Sequence, residues 1–193
     1  MNMELKDDLV IQNFKDGKIG IFPTDTSFGI GCRIDNQESI EKIFEIRNRP
    51  PQKALLALIS SIEMAEEYVY VTPEAKIQLF KKYWPGGLTV ILKCKKDKVP
   101  AIVRASGESL AIRLPDHTDL RRVIEAVGVP IIAPSANFSG GQTPVTLDMV
   151  EKDLVKEVDF VVDGRCTMEG VSTIIDTTVL PFKIIRQGVV EVI

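Results

Sequence analysis

Val129-Pro130-Ile131-Ile132-Ala133-Pro134-Ser135-Ala136-Asn137-Phe138-Ser139-Gly140-Gly141 passes from an apolar run into small polar residues within a few positions. Residues 129–133 read as a short buried strand. Ser135, Asn137, Ser139, Gly140 and Gly141 then supply small polar side chains and glycines, a composition that suits a tight loop at a strand end. Backbone N–H groups and hydroxyls can converge there on an anion, with no bulky side chain in the way. Such a loop builds no core; it suits a phosphate or a carboxylate. The complementary cations lie elsewhere in the chain, at Arg47, Arg49, Lys53, Arg113 and Arg186.

Outward from that strand, apolar runs and helical patterns alternate. Helical spacing links Leu5, Leu9, Val10 and Phe14 and ends at Gly17. Ile40, Ile43, Phe44 and Ile46 share one face of a second helix, capped by Asp35 or Asn36 and stopped at Pro50-Pro51. Further helical patterns cover residues 62–69, 73–83, 120–127 and 147–155. Strands are expected over 19–22, 28–34, 55–59, 88–92, 110–114, 160–162, 173–176 and 183–186. Gly29 and Gly31 inside one of these runs mark a close backbone approach or a bulge. The mixture fits a single α/β domain over residues 1–193, with an open twisted mixed sheet flanked by helices. Strand order cannot be read from such a pattern.

Bulk properties bound the function. The chain has 193 residues, 45% hydrophobic and 26% charged, which is ordinary for a folded soluble protein. Its longest apolar runs are far too short to cross a bilayer. The first eight residues carry acids and no apolar signal core, so a cytoplasmic location is the default. Cys32, Cys94 and Cys166 are isolated, odd in number and without metal-ligand spacing, which argues against a disulfide or zinc. His117 is the only histidine, and Pro115-Asp116 before it suggests a turn or helix start with a surface structural role. A histidine-rich metal site and a Ser-His-Asp triad are therefore disfavoured, and no metal site made of protein side chains is expected. Net charge is −3, which disfavours a globally basic nucleic-acid binder.

Arg47 and Arg49 stand at the end of a predicted helix, where a cation complements the dipole. With Lys53 they put three cations into seven residues ahead of a buried strand, an arrangement that could clamp a triphosphate. Arg113 lies in the apolar run Leu110-Ala111-Ile112-Arg113-Leu114, so it must reach solvent, pair with an acid or meet an anionic ligand. Arg186 poses the same question in Ile184-Ile185-Arg186. Thr24-Asp25-Thr26 is most economically a turn, with hydroxyls suited to a small polar substrate. Ser172-Thr173 is a second turn entering a strand. Asn137-Phe138-Ser139 matches a glycosylation sequon, read as accidental without a secretory signal. Neither GxxxxGK[ST] nor a GxGxxG loop between strand and helix occurs.

Four segments together resemble one family. They are Phe22-Pro23-Thr24-Asp25-Thr26-Ser27-Phe28-Gly29, Arg47-Asn48-Arg49-Pro50, Ser135-Ala136-Asn137-Phe138-Ser139-Gly140 and Gly170-Val171-Ser172-Thr173-Ile174-Ile175-Asp176. Trp84-Pro85-Gly86 and Leu110-Ala111-Ile112-Arg113 also fit. In that order, across nearly the whole chain, they resemble the YrdC-like family of threonylcarbamoyl-AMP synthases. The resemblance implies an open fold with a concave, positively charged cleft. It implies a reaction of L-threonine, bicarbonate or CO2, and ATP, with Mg²⁺, giving threonylcarbamoyl-AMP and pyrophosphate. Other proteins, the tRNA threonylcarbamoyl transferases, would carry the group to adenosine 37 of tRNA.

By position, the resemblance gives Arg47, Arg49, Ser135 and Asn137 to catalysis. It gives Arg49, Lys53, Ser109, Ser135, Asn137, Thr143 and Arg186 to ATP, and Thr26, Arg113, Ala133 and Ser172 to threonine. Two positions depart from the family pattern: Arg47 stands for the usual lysine, and Leu58 for a histidine that contacts threonine in some members. These leave open a YciO-like paralogue acting on a different substrate. A non-catalytic double-stranded RNA-binding module is a further reading, opposed by the acidic charge and by too few aromatic residues for a stacking platform. Carbamoyl transfer in hydrogenase maturation is a third, opposed by the absence of zinc motifs and the short chain.

Overall fold

Side-chain alternation in the central strands divides the apolar residues between two faces of one sheet. The computed structural model describes residues 3–50 and 52–192. Its strands are β1 (Met3–Glu4), β2 (Gly20–Pro23), β3 (Phe28–Arg33), β4 (Leu56–Leu58), β5 (Leu88–Lys93), β6 (Ser109–Arg113), β7 (Ile131–Ile132), β8 (Phe160–Asp163), β9 (Thr173–Asp176) and β10 (Lys183–Arg186). They form a ten-stranded sheet in the order β1-β8-β2-β3-β7-β4-β6-β5-β9-β10. Pairing is mixed: β2, β3, β7 and β4 run antiparallel in succession, while β4 with β6 and β5 with β9 are parallel.

The helices are α1 (Asp8–Lys15), α2 (Gln37–Ile46), α3 (Ile62–Tyr68), α4 (Pro73–Ala75), α5 (Lys81–Tyr83), α6 (Thr118–Val127) and α7 (Lys152–Lys156). Ile21, Ala57 and Ile132 point to one core, whereas their chain neighbours Phe22, Leu58 and Ile131 point to the other. Val10 and Phe14 of α1 and the apolar stripe of α6 fill the second core. Phe14 meets Phe22 and Phe160 edge-on, with centroids 5.5 and 5.1 Å apart. Helices α2 and α3 cover the opposite face with Ile40, Ile43, Phe44 and Ala65.

Several elements differ from the sequence expectation for identifiable reasons. Leu5 is buried but lies in a turn before α1, which starts only at Asp8. The 129–133 run contributes only Ile131 and Ile132 to a regular ladder, because Pro130 has no N–H to give. The 73–83 helix contains a π-helical turn at Lys76–Phe80 between α4 and α5. The expected 147–155 helix is two pieces, a 3-10 turn at Leu147–Met149 and α7. Val150 between them is extended and buried, so burial of a β-branched side chain overrides the helical pattern. Asn36 rather than Asp35 caps α2, its side chain accepting from Ser39 N–H at 3.1 Å. Pro51, half of the expected stop, lies outside the described residues.

The two glycines of β3 have different purposes. A Cβ on Gly31 would fall 2.0 Å from the Ile132 carbonyl oxygen, so only glycine lets β3 and β7 approach. A Cβ on Gly29 would meet its nearest neighbours at ordinary contact, 3.4 Å from the Ala133 Cβ. Gly31→Ala should therefore destabilise the fold by roughly 1–3 kcal/mol through overpacking. Gly29→Ala should stay within about 1 kcal/mol of the parent in urea unfolding. Equal losses would refute the close-approach reading of Gly31.

Candidate active site

Beyond the reach of α1 and α6, the second face of the sheet is left open. Leu110 and Ile112 of β6 point to the first core, so Ala111 and Arg113 point to this open face. The same alternation turns Thr89 of β5, between Leu88 and Val90, toward this face. Thr89, Ala111, Arg113, Leu56 and Ile174 line a cavity of about 190 Å³. Larger hollows open elsewhere, one of about 530 Å³ beside His117, but neither Arg47 nor Arg113 lines that one.

Arg113 is anchored by the β2–β3 hairpin tip. Thr24 Oγ1 accepts the N–H groups of Thr26 and Ser27 at 3.1 and 3.2 Å, which fixes the turn. Arg113 Nη1 donates to Thr26 Oγ1 at 2.6 Å, and Nη2 to Thr24 Oγ1 at 3.0 Å. Fully buried Asp25 lies beneath, its Oδ1 3.1 Å from Arg113 Nη1. That contact is Coulombic, because Oδ1 lies off the N–H direction. Burial lowers the Arg113 pKa and Asp25 opposes the shift. Arg113 Nε, also buried, has no partner among the described residues.

Arg47 and Arg49 reach the cavity through the end of α2. Arg49 N–H donates to the Phe44 carbonyl and Asn48 N–H to that of Glu45, each at 2.9 Å, the paired bonds of a Schellman cap. Asn48 takes the left-handed conformation this cap requires, at φ 49°. The cap thus places two arginines on either side of a sharp turn and aims both inward. Arg47 Nε donates to the Asn137 carbonyl at 3.0 Å, and Nη2 to Asn137 Oδ1 at 3.3 Å. Arg49 is braced by the carbonyls of Lys53 and Ala54, at 3.3 and 2.7 Å. Arg47 is 3% exposed, and burial, aided by the charge of Arg49, pulls its pKa down to about 10. Its Nη1 is buried and unpartnered among the described residues.

Ser135 and its loop extend the β3 ladder. Ala136 N–H donates to Phe28 and Ile30 N–H to Pro134, so Ser135 stands opposite Gly29. Ser135 Oγ donates to Asn137 Oδ1 at 2.6 Å, and Asn137 Nδ2 to the Gly141 carbonyl at 2.7 Å. Asn137 is thereby a buried hub that holds Arg47 and Ser135 from behind. On the far side, a β-bulge between Ile184 and Arg186 re-aims the strand. Ile184 pairs with core-facing Ile175, yet Arg186 pairs with Ile174, which lines the cavity. Arg186 Nε and Nη2 donate to the Ser172 carbonyl at 3.0 and 2.8 Å.

Among the residues singled out in the sequence, Thr26, Arg47, Arg49, Arg113, Ala133, Ser135, Thr143, Ser172 and Arg186 line this one cavity. Asn137 lies behind the wall. Lys53 is exposed and not in the lining, and Ser109 begins β6 away from it. Leu58 is buried in the α6-side core and does not line the cavity, although Leu56 does. His117 sits at the N-cap of α6, outside it. Two contributors carried little signal in the sequence. Asp25 read as part of a turn, and Thr89 in an apolar run is an unremarkable strand former.

A family model named Sua5/YciO/YrdC and described as telomere recombination matches residues 12–188. The threonylcarbamoyl-AMP synthase of Bacillus subtilis is 38% identical over 159 residues, covering 82% of this chain and 46% of that protein. The Pyrococcus abyssi protein of the same name is 35% identical over 175 residues, 90% of this chain and 51% of that one. That of Vibrio campbellii is 33% identical over 158 residues, 81% and 85% of the two chains. Thus the chain spans about half the length of the first two relatives. Among solved structures, P. abyssi Sua5 complexed with L-threonine superposes with a TM-score of 0.88 at 31% identity, over 95% of this chain and 54% of that one. E. coli YciO superposes with a TM-score of 0.86 at 24% identity, over 96% and 90%, a likeness of fold alone.

Two substitutions test the framework. Asn48→Val should cost roughly 1–3 kcal/mol, because a β-branched residue is strained at positive φ. Asn48→Gly should be nearly silent; a chemical-denaturation series in which both behave alike would remove the cap argument. Asp25→Asn leaves Arg113 buried without a counter-charge and should cost about 3–5 kcal/mol. Retained stability in thermal melts would show that Asp25 is not the counter-charge on which buried Arg113 depends.

Proposed function

The chain belongs to the Sua5/YciO/YrdC family, and from that premise we propose that it is a threonylcarbamoyl-AMP synthase. The observation that carries this reading is a pair of buried guanidinium nitrogens, Arg47 Nη1 and Arg113 Nε, without partners among the described residues. Both belong to side chains that line the same cavity. A buried donor left unpaired is destabilising, so the arrangement is best understood as awaiting an anion. Arg49 and Arg186 add two further guanidinium groups with no carboxylate within ion-pair distance among the described residues.

On this reading the α-carboxylate of threonine takes Arg113, and the phosphates of ATP take Arg47, Arg49 and Arg186, with Ser135 and Thr143 beside them. The threonine amine adds to CO2, or condenses with bicarbonate with loss of water, to give a carbamate. A carbamate oxygen then attacks the α-phosphorus of ATP, forming the mixed anhydride and releasing pyrophosphate. The carbamate and ATP are both anionic, and two unit charges 4 Å apart repel by about 4 kcal/mol at an effective dielectric of 20. Fixed guanidinium groups offset that repulsion and hold the attack in line. Among the described residues the cavity lining offers no histidine or carboxylate to act as a base. Positioning and charge neutralisation therefore carry the chemistry, and the amine proton leaves to solvent or phosphate.

For Mg²⁺ the lining supplies hydroxyls and cations but no carboxylate. The residues present do not fit a protein-held metal, and a magnesium ion would belong to the nucleotide. The adenylate would pass to a tRNA threonylcarbamoyl transferase for adenosine 37.

Pyrophosphate release with ATP, bicarbonate and each amino acid in turn tests the proposal, with threonine expected as the productive one. Release with another amine instead would assign the chain to a paralogue. Arg49→Ala should lower the threonine-dependent rate by about 10²-fold or more while leaving the melting curve in place. An unchanged rate would take Arg49 out of the site.

A further inference from the structure

We propose that Thr89 determines amino-acid specificity, by joining Ser172 in a two-hydroxyl subsite that reads the β-hydroxyl of the substrate. The proposal rests on the synthase reading above. Thr89 is 1% exposed and lies in β5 between two core residues of the opposite face. A valine would fill the same space, so packing alone does not call for a hydroxyl here. Burial of a hydroxyl is unfavourable unless it is bonded. The Thr89 Oγ1 partner is Ser172 Oγ, 2.8 Å away.

Proton counting shows what this pair lacks. Ser172 Oγ already accepts from Arg186 Nη2 at 3.1 Å, which fixes one of its lone pairs. Of the two O–H groups, one is used between the hydroxyls. The other has no acceptor among the described residues, and both side chains line the cavity. The pair therefore offers an incoming group one free donor and two free lone pairs. An alcohol is the complement, since it accepts once and donates once. Substrate, Thr89 and Ser172 hydroxyls can close a ring of three O–H···O bonds in which each oxygen gives one proton and takes one.

The surroundings select further. Val171, Ile174, Ala111 and Leu56 set the pair among apolar side chains of the same cavity. A methyl group beside the hydroxyl is well placed against such walls. A substrate with ethyl in place of hydroxyethyl would leave the free O–H of the pair desolvated and unpaired, the kind of mismatch that gives strong discrimination.

The test compares threonine with 2-aminobutyrate, which differs only by the missing hydroxyl. In the parent, kcat/KM for threonine should exceed that for 2-aminobutyrate by about 100-fold or more. Thr89→Val breaks the ring and should shrink this ratio by at least about tenfold, while the KM for ATP moves by no more than about twofold. Thr89→Ser keeps the hydroxyl and should restore most of the preference. Thermal melts would confirm that Val and Ser variants are folded. A residue that merely braces Ser172 would slow both substrates alike, so an unchanged ratio in Thr89→Val overturns the specificity role and leaves the synthase reading standing. Absence of any threonine-dependent pyrophosphate release in the parent would instead remove that reading and the proposal with it.

Discussion

A guanidinium kept under protein with no carboxylate beside it is unfavourable to build, and Arg47 is in that position. Desolvation works against its charge, and the neighbouring Arg49 repels it. Among the described residues the fold supplies only neutral acceptors, the carbonyl and amide oxygen of Asn137. These orient the group without cancelling its charge. Much of the local architecture follows from that constraint. Asn137 must be buried and fixed, which Ser135 and Gly141 achieve. The Asn137 loop must lie against the end of α2, and the Ser139 N–H bond to the Arg47 carbonyl at 2.8 Å holds it there.

Two small backbone devices aim the remaining cations. One is the left-handed Asn48 in the cap of α2, which lets successive arginines flank a turn and face one way. The other is the bulge at Ile185, without which Arg186 would fall on the opposite face of the sheet from Ile174. Neither device adds a contact of much strength by itself. Their effect is geometric: each converts a residue that sequence spacing would send to solvent or core into one that faces the cavity.

The sequence made the elements legible because their periodicities are clean. The nine expected strands all occur, α2, α3 and α6 fall where helical spacing put them, and α1 does so from Asp8 onward. It failed where burial or local chemistry outvoted the pattern, as at Val150 and Pro130. The two-residue β1 was not foreseen, since Met3–Glu4 is too short to show alternation. Strand order was beyond reach because it depends on long-range pairing. At the site, cations and hydroxyls were conspicuous as residue types, but their partners were not. Nothing in Thr24-Asp25-Thr26 announces that Asp25 is the counter-charge of an arginine 88 positions later in the chain, at Arg113. A bulge, too, leaves no mark in Ile184-Ile185-Arg186.

The placement of that single acid divides the cavity electrostatically. Arg113 is compensated by Asp25 and held by two threonine hydroxyls, so its region combines rigid geometry with little net charge. Arg47, Arg49 and Arg186 are held by carbonyls, amides and hydroxyls, so their charge is undiminished. The proposed reaction needs this asymmetry. An amino acid with a single carboxylate is better chosen by the geometry of donors than by strong attraction, which would also draw in phosphate. A triphosphate needs net positive charge, and needs it most as negative charge moves onto the leaving pyrophosphate. An acid placed beside Arg47 would cancel the charge on which the proposed approach of carbamate to phosphate depends. Residue type alone would therefore mislead: four arginines line the cavity, but it is the neutral partners of three of them that leave their charge uncompensated.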